Sequence, residues 1–409
     1  MNEWKKVKLK DCCHSISDGD HLPPPKSNSG VPFVTIANID ATNHIDFGNT
    51  MFVPLEYYNN LNDIRKAKCN DILYSVVGSF GKPVLIKENI PFAFQRHIAI
   101  LRPNNEIADS RFLYYVMLTR DFFMQADTVA IGAAQRTISL TALRNMEVKL
   151  PSMETQYRIA SILSRYDSLI ENYQKQIKLL EEAAQRLYKE WFVDLHFPGH
   201  ENAKIVDGVP EGWEKKTIDD VTCKVTTGLN PRKNFVLGKG SNYYVTIKNM
   251  ADNTLFLDDR CDRVDNEALE KINKRSDLKI GDILFSGIGT IGRVALVDIP
   301  TNNWNVSESV FTLRANDIVT KEFLYLMLLS PDMQNYCQSN AHGAAQKGIR
   351  MADLKAYSFN LPPFGVIQKF TNLVTPTIKK VSSIRNQIRL LTEARDRLLP
   401  KLMSGEIAV

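Results

Sequence analysis

The sequence predicts an α+β protein: two globular domains separated by two long helices packed as an antiparallel coiled coil, a tandem duplication with pseudo-two-fold symmetry. Three observations carry that expectation: a repeat at constant offset, two strand-rich regions of similar length, and a heptad seam after each. "GDILFSGIGTIGRVALV" (281–297) answers "NDILYSVVGSFGKPVLI" (70–86), "GAAQKGI" (343–349) answers "GAAQRTI" (132–138), and "LTEARDRLL" (391–399) answers "LEEAAQRLY" (180–188). Each pair is 211 positions apart (281 against 70, 343 against 132, 391 against 180), and blocks sharing one register are the signature of a duplicated unit. The 409 residues leave room for both copies to build a core.

Residues 1–152 and 212–362 are the globular domains. Short alternating runs such as "VPFVTIANI" (31–39), "FQRHIAILRP" (94–103), "NYYVTIKNM" (242–250) and "SESVFTLRA" (307–315) read as strands. Each domain carries one patch that is apolar nearly all round, "SRFLYYVMLT" (110–119) and "TKEFLYLMLL" (320–329), expected to be a buried core helix. The segment "GIGTIGR" (287–293) has the G-x-G-x-x-G spacing of a dinucleotide-binding turn. The run "RVALVDIP" (293–300), directly after the glycines, is alternating and β-branched rather than helical, and the first copy has Val76 where Gly287 falls. A glycine hairpin shared by both copies accounts for both.

The first spacer helix is expected over 153–195, a connector over 196–211, and the second helix with its tail over 363–409. Ile159, Tyr166, Tyr173, Leu180 and Leu187 form one heptad row; Leu163, Ile170, Ile177, Ala184 and Trp191 form the other. The second seam is weaker, because Thr377 and Arg395 occupy it and Pro376 interrupts it. A kink or restart is expected near Pro376 and again at Pro400. Antiparallel packing would set the two domains at opposite ends of a rod.

Composition narrows the function less than it excludes. Forty-four per cent apolar and 24% charged residues suit an ordinary soluble protein, and a net charge of +5 permits a nucleic-acid partner without demanding one. No apolar run is long enough to span a bilayer, and "MNEWKKVKLKDCC" has no signal core, so a cytoplasmic location is expected and no membrane partner. The six cysteines form no C-x-x-C pair, and His196 and His200 are separated by a proline and a glycine, which makes a loop rather than a metal face. There is no P-loop and no H-E-x-x-H. "NLPPF" (360–364) comes near a methyltransferase tetrapeptide, but Leu361 splits it and the first copy reads "KLPSM". No catalytic residue is assigned.

The repeated G-D-I-L-x-S-x-x-G-x-x-G segment, the Gly-Ala-Ala-Gln approach to each helix, "RLYKEWFVDLHFPG" (186–199), "VPEGWEKKTIDDV" (209–221) and "LLPKLMSGEI" (398–407) are similar to the specificity subunit of type I restriction–modification systems. The likeness covers essentially the whole chain, in the order domain, helix, domain, helix. It implies two target-recognition domains, each reading half of a split site in double-stranded DNA, with helices that set the gap. It further implies docking of two methyltransferase subunits and, through them, two restriction/translocase subunits. No cofactor is then expected on this chain; S-adenosylmethionine, ATP and Mg would sit on the partners. A two-domain interaction scaffold of a phage-defence complex without restriction activity is the alternative.

Arg and Lys suit guanine, and Asn and Gln suit adenine. Loop residues of those kinds are the candidate DNA contacts: Lys82, Gln95, Arg96, His97, Gln135 and Arg136 in the first domain. Arg293, Ser307, Glu308, Gln346 and Lys347 are their counterparts, with Lys248 and Asn249 from a neighbouring strand end. Leu187, Tyr188, Trp191 and Leu402 look apolar beyond what a two-helix seam covers, and are the candidate partner contacts.

Overall fold

The computed structural model describes the chain apart from residues 1–3, 22, 41, 134, 252 and 344–346. It divides into two compact units, Met1–Glu171 with Arg389–Val409, and Asn172–Ile388.

In unit one, four antiparallel strands run in the order Cys13–Asp18, Ile98–Pro103, Ile72–Ser75, Pro83–Leu85. A second sheet sets Val31–Val34 between Met51–Val53 (antiparallel) and Ala93–Phe94 (parallel). Lys5–Lys8 pairs with Glu147–Leu150, closing the domain on its own start. Ile72–Ser75 is buried throughout, as a central strand covered on both faces must be, so its sequence runs apolar instead of alternating.

Unit two repeats the plan. Thr222–Thr227, Val310–Ala315, Ile283–Ser286 and Val294–Leu296 form the four-stranded sheet. Asp262–Val264, Asn242–Val245 and Trp304–Val306 form the three-stranded one, and Glu214–Thr217 pairs with Ser358–Leu361. Even the register slip recurs, between Cys13 and Ser15 and between Thr222 and Lys224. The two apolar patches are the core helices Ser110–Met117 and Lys321–Leu328; in the latter every residue from Phe323 to Leu328 is buried.

One polar device anchors both central strands. The chain enters through a left-handed residue, Asn70 (φ 72°) or Gly281 (φ 94°), which turns the next aspartate inward. Asp71 receives the Arg102 guanidinium at 2.8 and 3.0 Å and the Lys68 amide at 2.9 Å. Asp282 receives Arg314 at 2.6 and 2.8 Å and the Lys279 amide at 2.8 Å. Asp282 is 1% exposed, so its charge is held by these donors rather than by water.

The long helices run Met153–Tyr188 and Phe364–Ser404, 36 and 41 residues. The second continues through both Pro376 and Pro400, so the expected restarts are absent. A proline inside a helix costs about 3 kcal/mol, and here the cost is met by tertiary packing. Val374, Val381 and Ile384 are buried in unit two, and Leu402 in unit one. Within unit two the helices are antiparallel, since Glu181 meets Arg385 at 2.6 Å while Trp191, ten residues on, meets Phe370, fifteen residues back. Within unit one Asp167 meets Arg395 at 2.8 Å, and Leu163 and Leu402 share one core. The polar seam position Arg395 is therefore paired, and Tyr115 donates to the same aspartate at 2.5 Å.

Three of the four apolar residues expected to be uncovered, Tyr188, Trp191 and Leu402, are buried within the chain, which corrects that reading for them. Tyr188, Trp191 and the half-buried Leu187 belong to the aromatic core of unit two, with Phe192, Phe323 and Phe370. Leu402, 1% exposed, lies in the core of unit one, with Leu398, Leu399, Met403 and Val409 packed around it. Trp191 and Leu402 are the same position of the repeat (191 and 402 differ by 211). The end of each long helix closes the core of the unit built on the other copy.

Candidate nucleic-acid interface

Three loops meet at the end of the four-stranded sheet in each unit. The first is the glycine hairpin. Ser75 donates its hydroxyl to the Ser79 carbonyl (3.0 Å) and accepts the Lys82 amide (2.9 Å), while the Gly81 amide donates to the Ser75 carbonyl (3.0 Å). Ser286 does the same with Thr290 (2.5 Å), Arg293 (2.8 Å) and Gly292 (3.0 Å). Gly81 (φ 93°) and Gly292 (φ 89°) occupy the left-handed region that this closure requires. Val294–Leu296 pairs antiparallel with Ile283–Ser286, so the G-x-G-x-x-G segment is a hairpin between two strands and lacks the strand-to-helix turn of a dinucleotide site.

The second loop is the turn before the long strand. The Gln95 amide donates to the Val34 carbonyl (3.1 Å), Ile98 to Gln95 (3.0 Å), and Val76 of the hairpin to His97 (2.9 Å). In unit two Ser307 donates to Val245 (2.8 Å), Val310 to Ser307 (3.2 Å), and Gly287 to Ser309 (3.0 Å). The correspondence is thus Gln95 with Ser307, Arg96 with Glu308, His97 with Ser309. Gly19 and Gly228 let the first strand pass beside this turn: a Cβ would stand 2.1 Å from the Phe94 carbonyl oxygen, or 1.6 Å from that of Val306.

The third loop holds the Gly-Ala-Ala-Gln motif. Gly78 donates to the Arg136 carbonyl (2.9 Å) and Gly289 to that of Lys347 (2.8 Å), tying this loop to the hairpin. In each copy it is the residue directly after the motif, Arg136 or Lys347, whose carbonyl holds the hairpin.

The proposed contact residues now separate. Lys82, Gln95, Arg96, His97 and Gln135 come together in unit one, with Arg96 and Gln135 exposed. Arg136 stacks 5.3 Å from the Phe80 ring and its guanidinium is paired with Asp127, leaving a partly exposed cation braced at the hairpin. In unit two Lys248 and Lys347 are exposed and Glu308 is half-buried. Three others hold the loops instead. The Arg293 guanidinium donates to the Ile247 carbonyl (3.0 Å) and to that of Met250. Asn249, 1% exposed, accepts the Thr246 amide at 2.9 Å, as Asn38 accepts that of Thr35. Ser307 is buried with its hydroxyl 2.7 Å from that of Ser309. Gln346 lies outside the described residues.

Two supporting groups escaped the sequence reading. Tyr57 donates to Asp20 at 2.5 Å beside Arg65, and burial, then Asp20, holds its phenol well above the usual range. Asn230 donates to Glu308 at 2.8 Å and caps the turn Pro231–Asn234, which exposes Arg232 and Lys233. The Asn-Pro pair at 230–231 is a helix-start signal that would have found this turn. Among the described residues no group of three or more metal-ligating side chains gathers, and no helix is long and apolar enough to cross a membrane.

Comparison with known proteins accords with this geometry. Residues 1–182 and 210–388 each match the model of the type I restriction modification DNA specificity domain. The chain is 28% identical to the type I restriction enzyme MjaIX specificity subunit of Methanocaldococcus jannaschii, over 73% of this chain and 69% of that one. It is 24% identical to the HindI specificity subunit of Haemophilus influenzae, with the whole of both chains aligned. Its fold is similar to that of the type I system S subunit from M. genitalium, with a TM-score of 0.59 at 18% identity, covering 98% of this chain and 96% of that one.

Proposed function

We infer how this chain reads DNA from the premise that it belongs to the type I restriction–modification DNA specificity family. It is a DNA sequence-recognition subunit and carries no catalysis of its own. One observation supports the finer reading: a single constellation of loops, built twice on the same hydrogen bonds, presents different side chains in its two copies. Residues 1–152 read one half-site and residues 212–362 the other. Lys82, Gln95, Arg96, His97, Gln135 and Arg136 face the first half-site; Lys248, Glu308 and Lys347 face the second. Exposed lysines meet phosphates and fix register, while the turn residues reach base edges. The long helices set the unspecified gap between the half-sites. In the cytoplasm the chain assembles with two methyltransferase subunits, which bring S-adenosylmethionine, and two restriction/translocase subunits, which bring ATP and Mg. Because the apolar ends of both helices lie in the chain's own cores, the docking surface is sought among exposed residues.

Replacing residues 212–361 with the equivalent segment of another specificity subunit tests this. Sequencing of methylated sites is expected to show one half of the motif changed and the other retained. A change in both halves, or in neither, would overturn independent reading.

A further inference from the structure

The turn at 95–97 and the turn at 307–309 occupy the same place in their units, tied by equivalent amides to the neighbouring strand and to the hairpin. At the middle of that turn the side chains have opposite charge, Arg96 in one and Glu308 in the other. A carboxylate on a surface that meets phosphates is repelled by them, and so needs a partner of its own. Among the described residues the contacts of Glu308 are with neutral groups, Asn230 and Tyr244. Its Oε1 accepts from Asn230 at 2.8 Å. Its Oε2 lies 3.2 Å from the Tyr244 hydroxyl, but that hydroxyl has one proton and a nearer acceptor, the Leu229 carbonyl at 2.7 Å. Burial first, and then the Glu308 charge, hold the Tyr244 phenol far above its ordinary range, so it keeps its one proton, which the nearer Leu229 carbonyl accepts. Glu308 is thus held from one side and has acceptor capacity to spare on the other.

We propose that position 96/308 is a base-reading position in both units, with opposite chemistry: Arg96 takes guanine through its O6 and N7 acceptors, and Glu308 takes the N4 amino group of cytosine. Cytosine fits better than adenine, because adenine sets its N7 acceptor beside its amino group, where a carboxylate is repelled. This rests on the reading that each unit recognises one half-site, and deepens it by naming the residue and the base.

The test uses the full-length chain expressed with its methyltransferase partner, with methylated sites sequenced in cells. The wild type must methylate a split motif; if it methylates none, the recognition reading itself fails. Given a motif, the half read by residues 212–362, identified by the exchange above, must contain a C·G pair. In Glu308→Gln, whose amide both donates and accepts, discrimination at that one pair should fall about 5- to 150-fold, the equivalent of one lost base contact, with every other letter kept. Arg96→Gln should do the same at one guanine of the other half, and its exposed side chain makes it a substitution the fold tolerates even if Glu308→Gln does not. The proposal is overturned if Arg96→Gln leaves all letters unchanged, if a folded Glu308→Gln does so, or if either change appears in the opposite half.

Discussion

Unit one and unit two hold their backbones with the same residues and their helices with different ones. The aspartate–arginine pair that anchors the central strand is common to both, as are the serine-closed hairpin and the close-packed Gly19 and Gly228. Against the long helices the units diverge. In unit one Glu171 takes His44 at 3.1 Å and also Lys87, and Asp167 takes Arg395. In unit two Ser382 donates to Asp298 and Arg385 pairs with Glu181. Backbone turns admit few side chains, so they stay alike after duplication; side chain to side chain contacts admit many solutions, so they drift. The turns at 95–97 and 307–309 obey the same rule, with shared amide contacts beneath and opposed charges at Arg96 and Glu308 above.

That contrast can be broken most severely at the helix ends. Trp191→Ala is expected to cost about 3–5 kcal/mol and to lower hydrogen-exchange protection in unit two, while Leu402→Ala costs about 2–5 kcal/mol in unit one. Loss of protection in the opposite unit would mean that the two ends do not serve separate cores. Removing a strand anchor comes next. Asp282→Ala leaves Arg314 beside an empty buried site and is expected to cost about 3–5 kcal/mol by denaturant titration, and Asp71→Ala should match it if the devices are equivalent. Arg395→Met should cost about 1–2 kcal/mol, because Asp167 loses the guanidinium and keeps the Tyr115 donor, and the pair is partly open to water; no effect would mark the seam as apolar in its energetics.

The smallest effect is a pH dependence confined to unit one. The bond to Glu171 raises the His44 pKa above its ordinary 6.5 against the opposing pull of burial, and the His44 bond, opposed by burial and aided by Lys87, lowers Glu171 from 4.5 to about 2. A raised histidine stabilises fully below its ordinary value and loses that contribution as pH rises through the raised one; a lowered glutamate stabilises above its ordinary value and loses it as pH falls toward 2. The contact is therefore strongest between about pH 4.5 and 6.5. Solvent screening keeps it below about 1 kcal/mol. An NMR titration of the His44 ring should give a midpoint above 6.5 that falls in Glu171→Gln; an unchanged midpoint would remove the pair from the comparison.

Much of this was legible before any coordinates. The offset of 211 established the duplication, the glycines flanked by β-branched runs established a hairpin instead of a phosphate loop, and the all-apolar patches were the core helices. These are local patterns, and a repeat tests each one twice. The tertiary structure alone decided what became of Pro376 and Pro400, where local rules allow a kink or a restart and the helix continues through both. It alone showed that Arg293 and Asn249 brace loops, since their partners, the Ile247 and Met250 carbonyls and the Thr246 amide, are backbone groups that no composition reveals. It alone covered Trp191 and Leu402, each in the unit built on the other copy. Periodicity states that a face must be buried; which surface buries it is settled between residues more than a hundred positions apart, where the chain leaves no local mark.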